Sequence, residues 1–490
     1  MGNLASNYDD SPWLKACGEG NLDTVENLVK NGQDIEAAHS DGATALIVAS
    51  NFGKVNVVHF LLSKGARVDR TTDNANSPLF LAAKEGHLEV CKELVAKGAD
   101  ANQELGHGWS TWLAACANGH LGIVELFVEN GQDIDVTNIT GFTGLIIACF
   151  DGHADVVRFL LSKGARVDCT TNKGYSPLFI AARDGHLEVC KELVARGADT
   201  NQESGDGLSP WLEACQNGHL DVVEFFVENG QGIEVTNSDG ATGLMYACNE
   251  ERANVVHFLL SKGALTDQTP NDDNWSPWFL ACNNGHLDIV ELFVANGQDI
   301  NITDSAGDTG LIIACLDGHA DIVRFLLSKG ARVDQTSDGF SPLFFAADGG
   351  HLEVCKELVA KGADVNQKSE DGQSPWLAAC ANGHLGIVEH FVENGQDVDV
   401  SSSNGFTALL IASRSRHADV VRFLLSVSVC TNRSDAKGNT TALARLQRKL
   451  NSYQQQLKQL LVLLSSCLHH SLLLLLQTRQ NPSTIVLLRS

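Results

Sequence analysis

Apolar side chains recur along this chain in short runs with helical spacing, and polar, glycine-rich segments separate the runs. In residues 74–102, a small apolar run from Leu79 precedes a second segment in which Leu88, Cys91 and Leu94 share one face. This spacing predicts two short amphipathic helices. Neither would exceed about ten residues, so neither would persist alone in water, and each must bury its apolar side against a neighbour.

Residues that favour helix ends mark the boundaries of both helices. Ser77 is a helix N-cap, and Pro78 stands at the first helical position, where its missing N–H costs nothing. Gly86 ends the first helix in a left-handed conformation, and Gly98 stops the second. The polar, turn-rich residues that follow predict a hairpin loop before the next unit.

This unit repeats through most of the chain. The phrase Ser/Thr-x-Leu/Trp recurs thirteen times, at intervals of 33 residues except for 34 after Thr242 and 32 after Thr309. Its copies begin at Ser11, Thr44, Ser77, Ser110, Thr143, Ser176, Ser209, Thr242, Ser276, Thr309, Ser341, Ser374 and Thr407. Repeats of this length indicate a stacked, one-dimensional array whose stability is a sum over repeats and their junctions.

The repeated unit matches a known family pattern. The phrase Gly-x-Ser-Pro-Leu-x-x-Ala-Ala-x-x-Gly-His-Leu-Glu-Val, followed by Leu-Val-x-x-Gly-Ala-Asp-x-Asn, resembles the ankyrin repeat. The resemblance implies an all-α ankyrin-repeat solenoid of stacked helix-turn-helix units with hairpin loops. It also implies a protein that binds partner proteins through its loops and concave face. The chain departs from the family pattern where an apolar residue such as Phe80 or Ile146 replaces the His of the Thr-Pro-Leu-His signature.

Three kinds of repeat alternate, so a longer period of 99 residues lies above the first. Trp-type repeats read Ser-Pro-Trp-Leu, Gly-type repeats read Thr-Gly-Leu, and Phe-type repeats read Ser-Pro-Leu-Phe. The order breaks once, where a Trp-type repeat directly follows the Gly-type repeat at Thr242. Tandem duplication of a three-repeat block explains this order. Because Gly144, Gly243 and Gly310 stand in place of Pro, we expect weaker first helices in the Gly-type repeats.

Composition divides the chain into three parts. Residues 1–10 form an N-terminal lead, residues 11–434 form the array, and residues 435–490 form a degenerate last repeat with a Leu-rich tail. Within the array we expect a soft junction at residues 248–275, because Glu251 replaces the usual helix-ending Gly and the following loop is longer. Loss of that Gly should cost about 1 kcal/mol.

The net charge is −25, and its distribution is uneven. Residues 427–490 hold eight Lys and Arg and one acidic residue, so this segment carries +7 and residues 1–426 carry −32. A surface this negative repels phosphate, which argues against nucleic acid as a partner of the array and favours basic proteins.

The Cys and His residues recur with the repeat and predict packing roles. The fourteen Cys form no CxxC pair and no zinc-finger spacing with His, which favours reduced core thiols in a cytoplasmic protein over disulfides or a metal site. The His that begins a second helix, such as His87, indicates a structural role, because a metal site needs several convergent ligands. No catalytic triad, phosphate-binding loop or pair of carboxylates stands outside the repeat pattern, so we expect no enzyme, cofactor or small-molecule substrate.

One loop position, between the loop Gly and the Ser/Thr cap, is often aromatic. Its side chain should project near the first helices, and in the ankyrin family this position varies and frequently contacts partners. We name as the contact stripe the residues Trp109, Phe142, Tyr175, Leu208, Trp275, Phe340 and Phe406. Aromatic side chains often dominate interface energies, so the stripe is our candidate binding site for protein partners. The alternative is that these side chains pad neighbouring loops. The Trp of the Ser-Pro-Trp-Leu phrase replaces a core Leu and is interpreted as packing.

The two ends of the chain leave a membrane alternative open. The N-terminus lacks the charged and apolar regions of a signal peptide, but Met-Gly-Asn-Leu-Ala-Ser fits the pattern for myristoylation of Gly2. Residues 443–464 carry a heptad pattern, and residues 460–476 are Leu-rich but too polar for a membrane span. We weigh three interpretations of the tail: a helix that caps the array, a coiled-coil or membrane-surface segment, and non-native or disordered sequence.

The sequence therefore predicts a non-catalytic scaffold or adaptor that is cytoplasmic, and monomeric unless the tail forms a coiled coil. One alternative is a peripheral membrane protein held by an acyl group on Gly2 and by the basic, Leu-rich tail. Another is an adaptor subunit that regulates an enzyme or a ubiquitin ligase, although residues 427–490 show no recruitment motif.

Overall fold

The structure, a computed structural model, describes residues 10–103, 108–269 and 275–434, with side chains up to residue 427. Over these residues the chain forms twenty-six α-helices, which pair as the first and second helices of thirteen repeats. The first helices are α1 (Pro12–Glu19), α3 (Ala45–Asn51), α5 (Pro78–Lys84), α7 (Thr111–Ala117), α9 (Gly144–Phe150), α11 (Pro177–Arg183), α13 (Pro210–Asn217), α15 (Gly243–Asn249), α17 (Pro277–Asn284), α19 (Gly310–Leu316), α21 (Pro342–Gly349), α23 (Pro375–Asn382) and α25 (Ala408–Arg414). The second helices are α2 (Leu22–Lys30), α4 (Val55–Ser63), α6 (Leu88–Ala96), α8 (Leu121–Glu129), α10 (Ala154–Ser162), α12 (Leu187–Val194), α14 (Leu220–Glu228), α16 (Ala253–Ser261), α18 (Leu287–Ala295), α20 (Ala320–Ser328), α22 (Leu352–Ala360), α24 (Leu385–Glu393) and α26 (Ala418–Ser434).

These helices fall into two compact units. Unit 1, Met1–Asp272, contains α1–α16, and unit 2, Asp273–Ser490, contains α17–α26. Within each unit, every first helix packs against its own second helix and against the first helix of the next repeat, and neighbouring second helices also touch. This is the all-α stacked array that the sequence predicts. The division at Asp272 lies inside residues 248–275, but the softness of that junction stays a prediction.

The first helices begin and end at the residues that the sequence marks. Ser77 Oγ accepts the backbone N–H of Phe80 at 3.2 Å, and Pro78 occupies the first helical position. Such caps satisfy N–H groups that have no partner inside the helix. After the first helix the chain turns at Gly86, whose φ of 83° lies in the left-handed region.

Within each unit, the recurring His joins most repeats to the repeat before. His87 Nε2 lies 3.1 Å from the backbone oxygen of Asn51, 36 residues earlier, and so donates to it. The ring sits against Gly53, where a Cβ atom would lie 2.5 Å from Nδ1 of His87. Corresponding bonds to backbone oxygens join His120 to Lys84, His153 to Ala117, His186 to Phe150, His219 to Arg183, His319 to Asn283, His351 to Leu316, His384 to Asp348 and His417 to Ala381. The His therefore has the structural role that its position predicts, and the Gly provides both the turn and the space.

The repeat that begins at Thr242 keeps this bond with a different side chain. Arg252 stands in the His position, and its Nε donates to the backbone oxygen of Gln216 at 2.9 Å. Glu251 stands in the Gly position and has a φ of 56°, a conformation that costs a side-chain-bearing residue about 1 kcal/mol. The inter-repeat bond is thus preserved, and the backbone strain at Glu251 is the remaining local weakness.

The Trp of each Trp-type repeat explains why the next repeat lacks proline. Trp112 is fully buried, and a Cβ atom at Gly144 would lie 3.0 Å from its ring and 2.9 Å from Cys116 Sγ. Trp211 fills the same space at Gly243. The indole N–H of Trp112 has no hydrogen-bond partner among the described residues, so packing alone holds the ring. A larger residue at the start of the next helix would collide with it.

The pairing holds through the whole array. A Trp at this position is followed, at the first helical position of the next repeat, by Gly or Ala in the pairs Trp13–Ala45, Trp112–Gly144, Trp211–Gly243, Trp278–Gly310 and Trp376–Ala408. A Leu is followed by Pro or Thr in the pairs Leu46–Pro78, Leu79–Thr111, Leu145–Pro177, Leu178–Pro210, Leu244–Pro277, Leu311–Pro342 and Leu343–Pro375. The absence of proline from Gly-type repeats is therefore a packing requirement of the preceding repeat.

The last second helix is longer than the others because the sequence after it lacks the Gly that ends the other second helices. In the other repeats a Gly follows the second helix after Lys, Asn or Arg, as at Gly65, whose φ is 90°. After Ser426 the chain has no such Gly, and α26 extends to 17 residues, whereas the other second helices have eight or nine.

The cysteines of the array are packing residues. The twelve Cys of the described ranges are free thiols, and all but Cys169 are buried. Burial raises the pKa of Cys17, Cys91 and Cys355 to about 12, so these thiols stay protonated at neutral pH and are poor nucleophiles.

The Trp–Gly pairing predicts a strong coupling between Trp112 and the residue at position 144. The backbone of Thr143 is extended and accepts a following proline, so the ring of Trp112 is the obstacle to Gly144→Pro. We expect Gly144→Pro to destabilise the array by about 1–3 kcal/mol. In a Trp112→Leu background the same change should cost about 2 kcal/mol less, as urea denaturation would show. Thr111→Pro, which follows Leu79, is the matched control and should be tolerated; equal cost of Gly144→Pro in both backgrounds would contradict the pairing.

The strain at position 251 predicts a stabilising substitution. Glu251→Gly should strengthen its repeat by about 1 kcal/mol, because Gly adopts positive φ without steric cost. Slower amide hydrogen exchange in α15 and α16 would show the gain. Glu250→Gly is the control, since residue 250 has a φ of −100° and gains nothing from Gly. Equal effects of the two changes would argue against strain as the cause.

Candidate protein-binding surface

The loops hold the contact stripe in place through their own hydrogen bonds. The backbone N–H of Phe142 donates to Asn138 Oδ1 at 2.9 Å, and that of Tyr175 donates to Thr171 Oγ1 at 3.2 Å. In these two loops, and at Phe406 with Ser402, a polar side chain four residues earlier fixes the backbone of the stripe residue. The side chain is therefore presented from an ordered turn, which lowers the entropy lost on binding.

Successive loops of unit 1 are also joined to each other. The N–H of Asn172 donates to the backbone oxygen of Thr140 at 3.1 Å, and the N–H of Gly205 donates to that of Lys173 at 2.9 Å. Stripe residues of these repeats therefore stand on a row of connected loops.

The stripe residues differ in how far they are exposed. Trp109 in unit 1 is 41% exposed, and Phe406 in unit 2 is 39% exposed. The half-buried members are Phe142, Tyr175 and Leu208 in unit 1 and Trp275 and Phe340 in unit 2. The structure thus divides the stripe between the two units, and its role in binding stays a prediction.

Two stripe residues pack partly against their own repeat. The ring of Tyr175 stacks on Phe179 with 4.7 Å between ring centroids, and the ring of Phe340 lies 4.3 Å from that of Phe344. At these two positions the side chain covers the first helix of its own repeat. Trp109 has no such contact with another ring among the described residues, and it offers the larger free face.

An exposed side chain beside Trp109 was not predicted from the sequence. Ile139 stands at the tip of the next loop and is 69% exposed. A cleft of about 170 Å³ lies between these two residues and is also lined by Leu113. The signal was present in the repeat alignment, because this tip position is polar elsewhere, as in Ser40 and Asn172.

The ends of two first helices add further exposed apolar side chains. Phe150, the last residue of α9, is 48% exposed, and Leu316, the last residue of α19, is 50% exposed. The corresponding position is small or polar in the other repeats, for example Ala117, Asn51 and Lys84. The guanidinium of Arg183 lies 5.5 Å from the ring centroid of Phe150, which is cation–π geometry.

A buried carboxylate lies near Arg183. Glu213 on α13 is only 7% exposed, at a first-helix position occupied elsewhere by side chains such as Ile147 and Ile180. Its Oε2 accepts from Asn217 Nδ2 at 2.9 Å, and its Oε1 has no hydrogen-bond partner among the described residues. Burial raises the pKa of the Glu213 carboxyl above its usual range, although Arg183 and Asn217 act in the opposite direction.

No basic side chain of the described residues forms an ion pair with Glu213. Arg183, which lies near it, instead makes a two-pronged pair with Asp184, at 3.0 Å from Nε to Oδ1 and 2.9 Å from Nη2 to Oδ2. The carboxylates of Asp184 and Asp206 act with burial to raise the pKa of Glu213. The negative charge of Glu213 is therefore only partly compensated by positive charge nearby.

Two tyrosines border this carboxylate. The hydroxyl of Tyr175 donates to Asp206, which raises the pKa of Tyr175, and Glu213 adds to the effect. Tyr246 is half-buried and accepts from Asn237 Nδ2 at 3.3 Å; burial raises the pKa of Tyr246, with Glu213 among the contributing charges. We call Phe150, Tyr175, Arg183, Glu213 and Tyr246 together the Glu213 face.

Comparison with known proteins identifies the repeats. A family model described as "Ankyrin repeats (3 copies)" matches residues 13–104, 112–204, 211–304, 278–369 and 361–435. The chain belongs to the ankyrin repeat family. Among solved structures it is similar to the human ASB11 ankyrin repeat domain, with 28% identity and a TM-score of 0.41, over 45% of this chain and 98% of that one. No curated protein matches the chain in sequence. Ankyrin repeats generally mediate protein–protein interaction, and proteins built from them are generally non-catalytic.

Several expectations for the ankyrin chain concern parts that the structure does not describe. Gly2 and the tail with its heptad and Leu-rich segments lie outside the described residues. Within residues 10–103, 108–269 and 275–434, no helix is long and apolar enough to cross a bilayer. The same ranges contain no group of three or more His, Cys, Asp or Glu residues arranged to hold a metal ion.

The raised pKa of Glu213 predicts a pH-dependent stability of the ankyrin array. A buried carboxyl with a raised pKa binds its proton more tightly in the folded state, so its contribution to stability is present at acid pH and lost as pH rises through the folded pKa. Glu213→Gln should therefore raise the midpoint of urea denaturation at pH 7, and this gain should shrink near pH 4. Glu224→Gln removes an exposed carboxylate from α14 and is the control. A loss of stability in Glu213→Gln at pH 7 would show that the carboxylate supports the fold.

Proposed function

We propose that this protein is a non-catalytic scaffold or adaptor that binds partner proteins through the loops and first-helix faces of its ankyrin array. The observation that carries the proposal is the pair Trp109 and Ile139, two exposed apolar side chains of neighbouring repeats that flank a cleft. Aromatic and aliphatic side chains beside a cleft are typical of interface anchors. Membership of the ankyrin family supports the same function in general terms.

The charge of the array indicates what kind of partner it attracts. Residues 1–426 carry −32, so basic proteins are steered towards it and phosphate-rich ligands are repelled. The buried free thiols fit a reducing compartment, which supports a cytoplasmic location.

Affinity capture tests the proposal with the full chain as bait. Trp109→Ala combined with Phe142→Ala removes two stripe residues of neighbouring repeats, and we expect the yield of specific partners to fall several-fold in quantitative mass spectrometry. Loss of aromatic anchors in this way typically costs 1 kcal/mol or more each.

A control substitution tests whether binding depends on the contact stripe or is lost with any exposed apolar side chain. Leu265→Ala removes a side chain that is 49% exposed after α16, and partner yield should stay unchanged. Thermal unfolding should show that all three proteins are folded. Equal capture by the double variant and the wild type would count against the stripe, and the absence of any reproducible partner of the wild type would count against protein binding itself.

A further inference from the structure

Glu213 is a charged residue at a position of the repeat that is otherwise almost always apolar. The fifth residue of the Ser/Thr-x-Leu/Trp unit is apolar in eleven repeats, Lys15 being the other exception, and in Trp-type repeats it is Ala at positions 114 and 378. Burying an ionised carboxylate without a paired cation is costly, and alanine at this position would avoid that cost. A costly group that the fold does not need is a candidate for function.

The surroundings of Glu213 lack a cation that is free to neutralise it. The guanidinium of Arg183 is held by Asp184, and the hydroxyl of Tyr175 is held by Asp206. One oxygen, Glu213 Oε1, accepts no hydrogen bond from the described residues, and it is the part of this largely buried side chain that a partner can reach. Arg183 is thus the basic side chain that acts on Glu213, and the carboxylates of Asp184 and Asp206 oppose it.

We propose that the Glu213 face receives a cationic side chain, lysine or arginine, that stands next to an apolar side chain in a segment of a partner protein. This inference rests on the proposed protein-binding function and specifies the chemistry of the partner. A cation at Glu213 Oε1 supplies the missing donor and the missing positive charge in one contact.

The rest of the Glu213 face complements such a segment. Tyr246 is half-buried in the next repeat, and aromatic rings near a carboxylate favour a bound cation. Phe150, 48% exposed, offers apolar contact area for the neighbouring side chain. The charge of −32 on residues 1–426 speeds the approach of a basic segment.

A peptide library tests the proposal without a known partner. A phage-displayed library of random twelve-residue peptides is selected on the immobilised full chain and depleted on the full-length Glu213→Gln variant. The peptides that remain should carry Lys or Arg beside an apolar residue. The most enriched peptide is then synthesised, and its affinity for the wild type, Glu213→Gln and Glu224→Gln is measured by calorimetry.

The glutamine variant keeps the shape of the side chain and removes its charge, whereas Glu224→Gln removes an equal charge from the second helix of the same repeat. We expect Glu213→Gln to weaken binding by about tenfold or more and Glu224→Gln to change it less than about twofold. Circular dichroism should show that both variants are folded.

Three results would overturn this inference. Selected peptides that lack a basic residue, or that bind Glu213→Gln as tightly as the wild type, would leave protein binding intact and remove the role of Glu213. A selected sequence that matches residues 435–490 would make the basic tail of this chain the occupant. Failure of the proposed function shows separately, as a wild-type chain that captures no protein partner.

Discussion

Every helix in the described array depends on burying its apolar side against a neighbouring helix. Apart from α26, the helices have only seven to nine residues, which is too short for stability in water. Close approach of successive first helices requires small residues at their contacts, and Ala82 and Cys116 are fully buried there. Within each unit, the bond from the recurring His adds direction to this burial, and the left-handed Gly leaves room for the ring, so one repeat fixes the orientation of the next.

Much of the fold could be predicted because its determinants lie within one repeat. The cap at Ser77, the Pro at position 78 and the turn at Gly86 are local signals, and repetition made them unambiguous. The reason for Gly144 could not be found in this way, because it lies in Trp112 of the preceding repeat. The missing proline, considered within one repeat, predicted a weaker first helix. The structure shows instead that the ring of Trp112 occupies the space that a larger residue at position 144 would need.

The binding surface could be predicted only in outline. The sequence located a loop position that is often aromatic, but the exposure of Trp109 and the stacking of Tyr175 depend on what the neighbouring side chains leave open. Glu213 and Ile139 were visible as departures from their repeat positions. Their importance became clear only from the structure, in which Glu213 is buried and Ile139 is exposed.

The dependence of each indole on a small residue one repeat later limits how such an array can grow or shrink by recombination. Removal of a Phe-type repeat leaves a Leu ahead of a Pro, as in the order Leu244 then Pro277 that this chain contains. Removal of a Gly-type repeat would instead set a buried indole against a pyrrolidine ring. A Gly-type repeat can therefore be lost only together with the Trp-type repeat before it, a deletion of about 66 residues, twice the 33-residue period.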